Sequence, residues 1–337
     1  INAQIALPTF QGVHKPHSSS SSSDTLTFTN CSATGRTGPT QSQVNSTYTS
    51  GNSLYNAVTI NTQGIQEWTV PATGTYTIES WGAQGGGVSV AGLGARIKGD
   101  FDLSQGDVIK IVVGQQGGAA GGNNTTSGGG GSFVIKSPYN SNASILVIAG
   151  GGGGSPGNSD YQAGGDDDGQ TSTSGARGYG ASGYSVGGSD GNGGSSSMRA
   201  AAGGGFFTDG ADNGQSAGYG TGGDAFVNGA KGGEDLYDNQ GGGADGGFGA
   251  GGSGMVSGWR GSGGGGGYSG GGTGFHQTNS PNHIFWRCSS FHDEAGSGEQ
   301  QPDLQLRAEP GADVRGQQPG DKFFGRSWGG GGERRAS

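Results

Sequence analysis

The chain has 337 residues, 83 of them glycine, with a formal net charge of −9 and a pI near 4.9. Hydrophobic residues make up 28% and charged residues 13%. A side-chain core therefore cannot fill the whole length, and charge repulsion is too weak to hold the chain unfolded. The acidic balance argues against nucleic-acid backbone binding, and no apolar run reaches the length of a membrane span.

Residues 1–10 set Ile1, Ala3, Ile5 and Leu7 on one face with period two, a strand signature that Pro8 ends. Residues 11–24 follow as a polar linker whose six serines at 18–23 form a flexible spacer. Two readings of this strand stand. It pairs with its own domain, or it crosses to a neighbouring copy and completes that copy's sheet by strand addition.

Residues 25–150 read as the β core. Strands are expected at 26–30, 58–61, 66–70, 75–81, 95–101 and 107–113, with a hairpin formed by 132–136 and 145–149. One or two helical turns fit residues 40–49, where Val44 and Tyr48 are four apart. Eight or so short strands separated by turn signals point to an antiparallel β-sandwich such as a jelly roll, with little helix.

Residues 151–274 carry runs of glycine broken by single aromatics, including Phe206, Phe226, Phe248 and Tyr268. Neither a helical nor a strand period persists there, and ten prolines are too few for collagen. Glycine can adopt an extended three-residue helix like polyproline II while keeping its N–H, so several such helices can pack and bond in more than one direction. The aromatics read more readily as packing that pins this bundle than as a carbohydrate or protein site.

Chemistry is sparse. The two G-x-S-x-G matches, at 187–191 and 267–271, neither follow a strand nor open a helix. The five histidines sit towards the two ends and form no metal-spaced cluster. Asp166, Asp167 and Asp168, with Asp160 upstream, have calcium-type oxygens but no calcium-loop spacing, and a solvated loop is the better reading. No catalytic, cofactor or metal site is expected, so the chain reads as a non-enzyme. Sequons stand at Asn30, Asn45, Asn123, Asn124 and Asn142. Cys31 and Cys288 either close one long loop or are unrelated thiols. The start at Ile1, with neither Met nor a signal peptide, fits a processed, exported protein; a trimmed chain would begin the same way.

Several stretches resemble, in order, the glycine-rich ectodomain of anaplastic lymphoma kinase-type receptors. They are residues 28–43 (FTNCSATGRTGPTQSQ), 64–78 (GIQEWTVPATGTYTI), 82–86 (GAQGG), 112–117 (VVGQQG), 131–136 (GSFVIK), 146–152 (LVIAGGG) and 265–271 (GGGYSGG). The resemblance implies a jelly-roll, tumour-necrosis-factor-like sandwich with an inserted polyglycine II bundle. The kinase, the membrane helix and the cysteine-rich module of those receptors have no counterpart here, so their receptor role does not carry over. Beyond Gly274 the resemblance stops. Residues 275–337 hold six of the eleven arginines and offer only a weak closing strand at 283–286, and little structure is expected of them.

The leading expectation is an extracellular or cell-surface structural subunit that polymerises with copies of itself through the N-terminal strand. The alternative is an adhesin or receptor-like module that binds a glycan or protein ligand.

Overall fold

The structure, a computed structural model, describes residues 2–7, 24–87, 91–120, 125–155, 168–180, 183–196, 200–214, 217–236, 244–257, 259–277 and 303–308. The first half holds β1 (Asn2–Leu7), β2 (Asp24–Thr29), α1 (Gln41–Thr47), β3 (Val58–Thr62), β4 (Ile65–Thr69), β5 (Gly74–Trp81), β6 (Arg96–Leu103) and β7 (Val108–Val112). Then come β8 (Ala119–Ala120), β9 (Thr125–Thr126), β10 (Ser132–Lys136) and β11 (Ile145–Ala149). The rest carries β12 (Gly178–Gly180), β13 (Gly183–Ser185), β14 (Met255–Ser257), β15 (Trp259–Ser262), β16 (Gly274–Gln277) and β17 (Asp303–Ala308).

Alternation in the sequence becomes two antiparallel sheets. The first contains β2, β5 and β6 together with β1 and β17; the second runs β11-β10-β7-β4-β3. Leu26 and Phe28 from β2 and Tyr76 and Ile78 from β5 meet Trp68, Ile109, Ile111, Val134 and Val147 of the second sheet. Trp68 is the centre of this layer. It lies edge-on to Phe28 and Tyr76, with ring centroids 6.3 and 6.1 Å apart, the geometry aromatic quadrupoles favour. Helix α1 opens with a capping box, in which Thr40 N–H donates to Gln43 Oε1 (2.9 Å). This sets Val44 and Tyr48 into the core.

The second sheet is covered on its other face as well, which breaks the in-out alternation in β10 and β11. Ile65, Val112, Phe133, Ile135 and Ile148 on that face pack against Phe206, Phe226 and Phe248 from the glycine-rich region. Phe226 stacks between Phe133 and Phe206, with centroids 5.4 and 5.2 Å away. Aromatics scattered through the glycine runs thus dock the insertion onto the sandwich.

Behind these rings the glycine segments bond to one another in several directions. Gly151 N–H donates to Gly266 O, Gly266 N–H to Gly129 O, Gly129 N–H to Gly152 O, and Gly152 N–H to Ala83 O. The donor-acceptor distances run from 2.7 to 3.0 Å. One segment therefore has several partners, which a strand with side chains on both faces cannot have. A third sheet, β13-β12-β16-β15-β9-β8 with β14 on β15, is built largely from this region. These short strands run where no period announced them, because glycine backbone pairs without a side-chain pattern.

The C-terminal tail contributes a described strand. Asp303–Ala308 forms β17 inside the first sheet, whereas residues 283–286 lie outside the described residues. The period-two signal was present in Leu304 and Leu306 around Gln305, but the arginine-rich composition of the tail masked it.

Candidate strand-binding site

β2 and β5 do not pair directly in the first sheet; a strand position lies between them. Its core-side walls are Leu26 and Phe28 on β2 and Tyr76 and Ile78 on β5, each at most 1% exposed. The opposite row on β5 is polar. The Thr75 hydroxyl donates to Asp102 and the Thr77 hydroxyl to Asp100, each at 2.6 Å. Glu79 accepts from Arg96 Nε at 2.6 Å, and the Arg96 guanidinium lies 5.3 Å from the centroid of the Trp81 ring. The position thus asks for an occupant with apolar residues on one row and polar or basic residues on the other.

The end of β2 is fixed by a buried network. Thr29 N–H donates to Tyr48 Oη (2.8 Å), Tyr48 Oη–H donates to Gln66 Oε1 (2.9 Å), and Gln66 Nε2 donates to the Thr29 carbonyl (2.8 Å). Gln66 comes from β4 of the opposite sheet, so the network ties the two layers beside the gap. Burial pushes the Tyr48 phenol well above its ordinary pKa. Tyr76, whose hydroxyl donates to the Ala72 carbonyl at 2.6 Å, is pushed up to about 12 by the same desolvation.

These shifts set an alkaline limit. Both phenols hold their protons more tightly folded than unfolded, so their contribution is intact below pH 10; that of Tyr76 is lost as pH rises from there towards 12, and that of Tyr48 goes on falling beyond it. We expect melting temperature to be flat near neutrality and to fall above pH 10. For Tyr76 alone the slope is about 1.4 kcal/mol per pH unit. Tyr76→Phe should reduce the overall slope, leaving the part due to Tyr48; an unchanged slope would remove Tyr76 as a source.

β1 lies antiparallel to β2, with Ala3 opposite Phe28, Ile5 opposite Leu26 and Leu7 opposite Asp24. It also meets β5, with Ile5 opposite Ile78. Ile1 lies outside the described residues. The N-terminal strand therefore pairs within this chain at the gap, with Ala3 and Ile5 at the register of the core row. Among the sequons, Asn142 is exposed and its Oδ1 accepts from Tyr268 Oη (3.0 Å). The amide of exposed Asn45 pairs with Gln41 (2.8 Å) and that of half-buried Asn30 donates to the Ala33 carbonyl (2.9 Å). Asn123 and Asn124 lie outside the described residues. Cys31 is a buried thiol whose pKa is raised by burial, and its possible partner Cys288 lies outside the described residues. Asp168 Oδ1 accepts from Leu93 N–H (2.6 Å), while Asp160, Asp166 and Asp167 are not described. Among the described residues no group of three or more His, Cys, Asp or Glu could hold a metal ion, and no helix is long and apolar enough to cross a membrane.

A separate cleft of about 340 Å³ opens where the sandwich meets the glycine layer. Ile145, Ile148, Gln170, Thr173, Tyr268 and Ser269 are among its lining residues.

Taken together, the sheets and the gap describe a mainly β protein, an antiparallel sandwich with little helix. No protein-family model matches the chain. Over 97 residues, 26% of its length, it is 40% identical to the leukocyte tyrosine kinase receptor of Mus musculus. That match covers 11% of the receptor, so the chain spans about a tenth of that protein's length. A receptor tyrosine kinase is thus where both the ordered motifs and the pairwise comparison find similarity.

Proposed function

We propose that the chain is a non-catalytic extracellular structural subunit that assembles with copies of itself, each lending β1 to the gap between β2 and β5 of a neighbour. The observation that carries this is the register of β1, whose Ala3 and Ile5 stand opposite Phe28 and Leu26 of the core row. Added strands gain affinity from main-chain bonds and register from alternate apolar positions, and β1 offers both. The serine run at 18–23 supplies slack for such a crossing. In this reading the glycine segments are polyglycine II helices, a rigid spacer between assembly contacts; their multidirectional backbone bonding supports that. Similarity to a receptor supports an extracellular or surface setting, in which the exposed Asn45 and Asn142 are open to glycosylation.

Deleting residues 1–10 is expected to leave a folded monomer that forms no filaments by electron microscopy, under conditions where the full chain polymerises. The same filaments from the truncated chain would end the proposal. A second reading, a receptor-like module that binds a glycan or protein ligand, rests on the similarity to the mouse receptor and on the cleft beside Tyr268. It expects a monomer whose ligand capture is lost on Tyr268→Ala while the fold is kept.

A further inference from the structure

The first sheet has one strand position between β2 and β5, and two segments of the chain pair there. β17 lies antiparallel to β2 with Leu304 opposite Phe28 and Leu306 opposite Leu26, and antiparallel to β5 with Leu306 opposite Ile78. β1 reaches the same residues: Ala3 stands at Phe28, and Ile5 at both Leu26 and Ile78. Gln4 and Gln305 share Thr27 and Glu79. The offset is constant along the pair, and the two segments also meet each other in parallel at the same offset, Asn2 at Asp303 and Ala3 at Leu304. Each of β2 and β5 turns a single edge to the gap, and a strand fills one position in a ladder. The two segments are therefore alternative occupants of one place, matched in direction and register.

They are not equivalent. β1 runs the length of β2, from Asn2 at Thr29 to Leu7 at Asp24, but meets β5 only at Gln4 and Ile5. β17 meets β2 from Leu304 to Leu306 and continues along β5 from Gln305 at Glu79 to Ala308 at Tyr76. Its Arg307 stands opposite Thr77, at the register of the polar row that carries Glu79, Asp100 and Asp102 together with Arg96 and Lys98. β1 carries Ala6 at the equivalent place. β17 thus has four residues in register with β5 where β1 has two, and each paired residue adds main-chain bonds.

We propose that β17 is the resident strand, holding the gap of its own chain through its longer register on β5, and that the partner which displaces it is β1 of a second copy. Resting on the self-assembly reading above, this makes the C-terminal strand an intramolecular stopper. A single chain is closed by β17 and keeps β1 to offer; growth requires exchange of one strand for the other.

Cysteine pairing on the full chain tests this. Residues directly opposite across antiparallel strands lie about 4.5–5.5 Å apart at Cα, within the span a disulfide bridges. In a Cys288→Ser background, Leu306→Cys with Ile78→Cys is expected to close within one chain and run as a monomer on a non-reducing gel. Ile5→Cys with Ile78→Cys should give bridges between chains, identified by mass spectrometry of mixed isotope-labelled and unlabelled protein. A within-chain Ile5–Ile78 bridge forming as readily as the Leu306 one would overturn the assignment of β17 as resident. A within-chain Leu306 bridge with no interchain product would uphold β17 as the chain's own strand and sink the self-assembly reading. If the cysteine variants do not fold, a synthetic peptide spanning residues 303–308 serves instead. In excess over the wild-type chain it should lengthen the assembly lag by about fivefold through mass action, and an unchanged lag would refute the competition.

Discussion

Gly247→Ala is expected to abolish cooperative folding, while Gly51→Ala leaves the melting curve unchanged. A Cβ on Gly247 would lie 1.9 Å from the Gln115 carbonyl oxygen and 3.0 Å from the Gly130 nitrogen. Neither atom is free to retreat. The Gln115 carbonyl accepts from Gly130 N–H and the Gln115 N–H donates to Phe248 O, while Gly247 N–H itself donates to Gly128 O, all at 2.8–2.9 Å. Moving any of these segments breaks bonds to two or three others, and Phe248, fully buried next along the chain, is displaced with them. Overpacking a well-packed site alone costs about 1–3 kcal/mol. With the broken network added, the loss should exceed about 4 kcal/mol, the range reserved for severe mechanisms. Gly51, in contrast, has nothing within 4 Å of the place a methyl group would take, and its φ lies outside the left-handed region. Circular dichroism melts of the two variants decide the matter. If Gly247→Ala melted within a few degrees of the parent, the glycine layer would not be packed by close backbone approach.

Gln66→Leu should cost about 3 kcal/mol, because it removes the acceptor of the buried Tyr48 hydroxyl and a donor to the half-buried Thr29 carbonyl at once. Gln66 is fully buried and joins the Tyr48 hydroxyl to the Thr29 carbonyl. Leucine fills the volume but accepts no proton from Tyr48 and donates none to Thr29. Tyr48→Phe leaves Thr29 N–H without its acceptor and should cost about 1–2 kcal/mol. Because the residues act as one network, the double variant should lose less than the sum of the singles. Urea denaturation of all three gives the coupling energy; strict additivity would mean that the network does not act as a unit. Since Thr29 ends the β2 edge of the gap, Gln66→Leu should also weaken strand uptake there.

Much of the sandwich is legible in the sequence. The run at 75–81 alternates so cleanly that Tyr76 and Ile78 fall on the core row, and the pairing of Val44 with Tyr48 marks the short helix. Legibility fails where burial is two-sided. Phe133, Ile135 and Ile148 face the glycine layer, and Val134 and Val147 face the sandwich core. β10 and β11 therefore read as continuous apolar runs that do not say what covers the second face. The Asn2–Leu7 strand carried a visible period, but nothing in it named Leu26 and Ile78 as its neighbours.

The sequence by itself determined that the chain is mainly β with little helix, because period two and turn residues are local properties of a few consecutive positions. It also determined that the glycine runs needed another means of support, since they lack the side chains of a core. Only the tertiary structure decided that Ile5 and Leu306, 301 positions apart, register on the same two residues. A strand position is defined by its two neighbours, and those neighbours, β2 and β5, are brought side by side only when the sandwich closes.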